Sequence, residues 1–138
     1  MNALEYALVF TGLIAYLVLS LSLITIPEPT FSPRILLSAI ASVAYRPTSE
    51  VTIRLYASKD VIVVIHSNVI EVQGYVINYG EVKDFISLGI VKSYAPQRLE
   101  LNVELNSLRL TGPRLYVLKV SCPKAGHVLV EIIEIRRV

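Results

Sequence analysis

Residues 99–106 read Leu-Glu-Leu-Asn-Val-Glu-Leu-Asn, with apolar side chains at every odd position and polar ones at every even position. A period of two marks an extended strand with one face buried and the other in water. The same alternation recurs upstream, where Val51, Ile53 and Leu55 interleave with Thr52 and Arg54. The segments 61–66 (VIVVIH) and 128–133 (VLVEII) are denser in apolar residues and suit central strands or a face covered by neighbours. Turn chemistry separates these runs at Ser58-Lys59-Asp60, Asn78-Tyr79-Gly80, Ala95-Pro96, Thr111-Gly112-Pro113 and Pro123-Lys124-Ala125-Gly126. The pattern predicts strands near 50–57, 60–66, 69–78, 84–93, 97–106, 114–121 and 127–137. Short strands at this spacing predict an all-β sandwich of immunoglobulin type over 49–138.

The region before residue 49 follows other rules. Between Glu5 and Glu28 the chain runs YALVFTGLIAYLVLSLSLITIP without a charged side chain. From Tyr6 to Ile26 a helix would span about 30 Å, the thickness of a bilayer's hydrocarbon core. Residues 1–26 are therefore expected to form a hydrophobic assembly or transmembrane helix. Gly12 and the hydroxyls of Thr11, Ser20 and Ser22 would let another helix approach closely. A secretory signal peptide fits poorly, because no Lys or Arg precedes Arg34 and the apolar run ends in ITIPEP instead of a small-residue cleavage site. Residues 27–48 form a Pro-rich connector, stiffened by Pro27, Pro29 and Pro33. Within it Ser32-Pro33 offers a helix start, and Ile35, Leu36, Ala39, Ile40 and Val43 share one helical face, predicting a short helix over 33–45. The expected fold class is thus α+β, a hydrophobic N-terminal helix followed by the sandwich.

Charge and composition narrow the function. All 13 basic residues lie from Arg34 onward with nine of the 11 acidic ones, a dispersed excess of +4 without a basic run. Nucleic-acid binding is not indicated. A single cysteine excludes an internal disulfide framework. The acidic residues of the strands alternate with apolar ones, as solvated strand faces do, and no nucleophile elbow, phosphate loop or H-E-x-x-H is present. No enzymatic activity, cofactor or small-molecule substrate is expected. The one constellation resembling metal chemistry is Cys122-x4-His127 with His66 upstream, whose spacing suits a cupredoxin. The weak axial ligand is absent: position 132 is Ile, and Met1 is the sole methionine.

Together, the segment Val72-Gln-Gly-Tyr-Val-Ile-Asn78-Tyr-Gly80, the downstream Ala95-Pro96 and Gly112-Pro113 turns, and the ending Cys122-Pro-Lys-Ala-Gly126-His-Val-Leu-Val resemble immunoglobulin-like domains of archaeal surface proteins. Joined to a hydrophobic head beginning MNALEYALVF, the whole chain resembles an archaeal type IV pilin. The resemblance implies a structural subunit of a cell-surface filament, a helical homopolymer with bundled head helices inside and β-rich domains outside. It implies a membrane environment before assembly and Met1 as a processed end. It assigns assembly roles to Met1, Glu5, Leu8, Leu13, Leu17 and Leu21, with Glu5 paired to a neighbour's N-terminal amine. Physics offers Glu5 another role, a first-turn carboxylate at the positive end of its own helix dipole. Two other functions keep the anchor: an accessory electron-transfer subunit with a cupredoxin-like domain, and a minor pilin-like or motor component that does not polymerise. Topology also stays open, since the basic residues following the helix place the domain in the cytoplasm unless a basic leader has been removed.

Overall fold

The structure, a computed structural model, describes residues 2–23 and 30–137, with side chains described over 2–17 and 30–137. Nine elements follow one another: α1 (Ala3–Leu23), α2 (Pro33–Val43), β1 (Glu50–Ala57), β2 (Ile62–Gln73), α3 (Tyr79–Ser87), β3 (Val91–Ala95), β4 (Arg98–Thr111), β5 (Arg114–Lys124) and β6 (His127–Arg137).

The alternating stretch 99–106 lies in β4, the hub of a single six-stranded sheet ordered β1-β5-β6-β4-β2. One edge of β4 pairs antiparallel with β2 from Arg98 to Thr111. Its other edge takes β3 at residues 98–101 and then β6 in a short parallel contact, Glu104 against His127 and Leu105 against Val128. This corrects the expected immunoglobulin-like sandwich, because a strand paired along both edges joins all six strands into one mixed sheet. Helices α2 and α3 supply the packing that a second sheet would have supplied. Residues of α2 (Leu36, Leu37, Ala39, Ile40, Val43) and of α3 (Val82, Phe85) join the same buried cluster as Leu55, Leu99, Leu101, Leu118 and Val130.

Two local features differ from the expected strands. The predicted strands 60–66 and 69–78 are largely one continuous strand, β2, whose register against β4 shifts on both sides of Ser67, a residue at φ 55°. Across these bulges the inward face changes parity, from Val61, Val63 and Ile65 to Ile70 and Val72, and the partner strand changes from Leu105 to Leu110. Bulges bend and twist a sheet in this way. The predicted strand 84–93 opens inside a helix instead: Asn78 and Glu81 form a capping box at the start of α3, which runs to Ser87, and β3 begins only at Val91. Where β4 diverges from β6 the ladder is continued by a side chain. The Asn106 amide donates to the Val130 carbonyl at 2.8 Å and accepts the Val130 N–H at 2.7 Å.

The turn between β1 and β2 sits against two glycines. A Cβ on Gly112 would collide with the Ser58 carbonyl oxygen, and one on Gly74 with that of Asp60. Gly74 also holds φ at +78°, where an L side chain is strained. Phe31 locks the same corner, only 2% exposed, with its N–H donating to Ser58 Oγ at 3.3 Å and its ring edge-on to Tyr75 at 5.1 Å. The core therefore extends back through α2 to Phe31.

Tyr75 completes this corner by donating to the Glu81 carboxylate, at 2.9 Å and 2.8 Å to its two oxygens. Glu81 Oε1 also accepts the Asn78 N–H of the capping box at 3.0 Å. Burial pushes the Tyr75 hydroxyl up to about 12, with the Glu81 hydrogen bond and charge acting in the same direction. An unfolded tyrosine titrates near pH 10, so the proton is held more tightly by the folded chain. The stabilisation is complete below about pH 10 and is lost as pH rises from there through the folded value. Thermal melts between pH 9 and 12 are expected to fall more steeply for the parent than for Tyr75→Phe; parallel curves would remove Tyr75 from the alkaline transition.

Candidate functional site

Helix α1 begins with a capping box. The Asn2 N–H donates to Glu5 Oε2 at 3.2 Å, and the Glu5 N–H donates to Asn2 Oδ1 at 3.0 Å. Two of the four orphan donors at a helix start are satisfied reciprocally in this way. Glu5, expected at the assembly contact, thus serves its own helix, with its carboxylate at the positive end of the dipole. Within α1 the Thr11 hydroxyl donates to the Ala7 carbonyl at 2.8 Å, so this polar group is satisfied inside the helix. A Cβ on Gly12 would meet nothing within 4 Å, leaving a smooth notch on the helix surface.

The large apolar side chains of α1 over the described residues 4–17 are exposed. Leu4, Tyr6, Leu8, Val9, Phe10, Leu13, Ile14, Tyr16 and Leu17 are each between 46% and 69% exposed. At 100° per residue these positions populate every side of the cylinder. A helix apolar on one stripe packs on its own domain, whereas one apolar all round is built to be surrounded. Of the expected assembly residues, Leu8, Leu13 and Leu17 lie on this exposed surface. Met1 lies outside the described residues; Leu21 lies in α1, with its side chain outside them.

The membrane-spanning helix expected over 1–26 is corrected: among the described residues no helix is long and apolar enough to cross a membrane. Residues 24–26 of the expected segment lie outside the described residues.

The cupredoxin constellation is not assembled. Cys122 is buried, with its thiol toward the Ala44 carbonyl at 3.4 Å and the Lys124 carbonyl at 3.1 Å, both acceptors. His127 stands at the exposed start of β6, and His66 lies on β2, separated from β5 by β6 and β4. His66 Nδ1 lies 3.4 Å from Ser107 Oγ on β4. Among the described residues no three His, Cys, Asp or Glu side chains are grouped to hold a metal ion.

The sequence reading missed Asn2, although N-x-x-E, present at Asn2-Glu5 and again at Asn78-Glu81, is a recognisable helix-start signature. It also missed the Phe31-Tyr75-Glu81 clamp, whose members are 44 to 50 positions apart across Phe31 and carry no local signal. No family model, curated protein or solved structure matches the chain.

Proposed function

We propose that the chain is a structural subunit of a pilus-like surface filament, assembled by packing α1 against α1 of identical copies, with the sheet domain displayed outward. The observation that carries this reading is the apolar surface of α1 over the described residues 4–17, exposed on every side while the rest of the chain has a buried core of its own. Each large apolar side chain moved out of water contributes about 1.5 kcal/mol or more. Leu8, Leu13, Leu17 and their exposed neighbours therefore supply a strong drive to associate. A helix surrounded by several like helices satisfies all sides together, which a two-helix contact cannot. The notch at Gly12 allows one neighbour to approach closely. The resemblance of the head and the β-rich remainder to an archaeal pilin points to the same architecture. Before assembly this surface needs an amphiphile, lipid or detergent, to remain dispersed.

The test is assembly by the full chain after detergent removal, followed by electron microscopy and sedimentation. Wild type is expected to form filaments, and Leu13→Lys to lose them while keeping the melting profile of the sheet domain. A parent chain that stays monodisperse, or a Leu13→Lys variant that polymerises equally well, would overturn the proposal.

A further inference from the structure

Strand β6 has a second unsatisfied surface. Beyond Val128 its outer edge pairs with no strand among the described residues, and Asn106 alone bridges to it at Val130. Because Asn106 engages both polar groups of Val130, the backbone N–H and C=O of that residue point away from β5. Alternation of an antiparallel ladder then aims those of Ile132 outward as well. Pairing with β5 runs from Leu118–Ile132 to Val117–Glu134, leaving Ile133 as the extra residue of a bulge. The next outward-facing residues are therefore Ile135 and Arg137. Here the strand also exposes large apolar side chains among its charges: Ile132, Ile133 and Ile135 are 37%, 56% and 47% exposed. An open apolar edge is a template for another strand.

The charges select which strand. Glu134 and Arg136 flank Ile135 on the face opposite it, and within one chain they form a forked pair, Nε to Oε1 at 3.0 Å and a terminal guanidinium nitrogen to Oε2 at 3.2 Å. Two copies pairing antiparallel about a two-fold axis must place one residue opposite itself. Centring on Glu134 opposes two carboxylates, and centring on Arg136 opposes two guanidiniums. Centring on Ile135 sets Ile135 against Ile135 and Glu134 against Arg136 on both sides of the axis. It also makes Ile135 a hydrogen-bonded pair, as its outward backbone groups require. A strand carrying one sign of charge would meet one favourable and one repulsive partner at the same edge.

We propose that the outer edge of β6 is a self-association site at which two copies of this chain join their sheets antiparallel, in the register centred on Ile135. The site is independent of α1, and in a filament it would link sheet domains laterally. The test uses the full chain in detergent carrying Leu13→Lys, so that association through α1 is absent. Sedimentation is expected to show a reversible dimer. Glu134→Arg alone and Arg136→Glu alone should each weaken it about tenfold or more, since each opposes like charges twice in this register. An equimolar mixture of the two variants, and the double exchange in one chain, should restore it. Ile135→Cys should cross-link to its own copy under mild oxidation while Ile132→Cys does not, the native Cys122 being buried. Monomer at all concentrations, failure of the mixture to recover, or equal cross-linking at 132 and 135 would overturn the proposal without touching the role of α1.

Discussion

Gly112→Ala is expected to remove the native fold at ordinary temperatures, the largest effect of any single methyl added to this chain. The new Cβ would collide with the Ser58 carbonyl oxygen and lie 2.5 Å from that of Ala57. Both are backbone atoms of the β1–β2 turn, so no flexible side chain can yield. The turn itself cannot retreat. Val61 N–H donates to the Ser58 carbonyl at 3.1 Å, Gly112 N–H donates to the Val61 carbonyl at 3.0 Å, and Ser58 Oγ accepts the Phe31 N–H. Gly74→Ala should behave similarly, adding positive-φ strain to a Cβ 2.8 Å from the Asp60 carbonyl carbon. Losses above about 4 kcal/mol follow from such forced overlap, a large share of the stability of a small domain. Gly80→Ala is the control, since a Cβ there meets nothing within 4 Å and lies in the first turn of α3; it should be neutral or slightly stabilising. Soluble expression and thermal melts of the three variants decide the matter. A Gly112→Ala chain melting within a few degrees of the parent would show that the corner is looser than its contacts imply.

Phe31→Ala is expected to cost about 3–5 kcal/mol, the usual range for emptying a buried aromatic site. For a domain near 100 residues that lowers the melting temperature by roughly 15 °C or more. The ring is almost fully buried and stands edge-on to Tyr75 at an interplanar angle of 81°, so its removal also deprives Tyr75 of its packing partner. Phe31→Leu should recover most of the loss. Because Phe31 precedes α2, the same experiment locates the start of the folding unit. A truncated chain beginning after residue 48 lacks Phe31, Leu36, Leu37, Ile40 and Val43 from its core and should not fold, whereas one beginning at Thr30 should. A stable, cooperatively melting 49–138 fragment would place the true core elsewhere.

Elements whose residues form a regular pattern along one segment were legible in the sequence, and elements defined by distant partners were not. The alternation of 51–55 and 99–105 appears in β1 and β4, the helical face of 33–45 in α2, and the breaks at Ser58-Lys59-Asp60, Ala95-Pro96 and Thr111-Gly112-Pro113 between strands. Asn78-Tyr79-Gly80 looks like a strand-ending turn because Asn and Gly favour one. The carboxylate of Glu81, three residues after Asn78, makes it a helix start instead, with Val82 and Phe85 turned to the core. Ser67-Asn68 resembles a break for a similar reason, yet β2 passes through it, and Asn68 donates to the Leu101 carbonyl at 3.3 Å across the irregular register. Whether strands form one sheet or two depends on pairing between segments remote in sequence. The β4–β6 contact that merges them rests on Glu104, Leu105, His127 and Val128, with the Gly126 carbonyl accepting the Glu104 N–H and Asn106 extending it. The candidate site divides in the same way. The uncharged run of α1 is plain in one dimension, and so is the Asn2-x-x-Glu5 spacing that caps it, whereas the Phe31-Tyr75-Glu81 clamp emerges only from the fold.

The position of Phe31 has a mechanical corollary. A pull applied to α1 travels along the covalent chain and, among the described residues, meets the buried core at this ring, seated against Ser58 and Tyr75. Behind it stand the glycine-lined turn and the Glu81-capped helix, so the load reaches a clasped corner before it can begin peeling a free strand. A chain towed by its head would yield there first, and the strength of that clasp would set the tension at which it unravels.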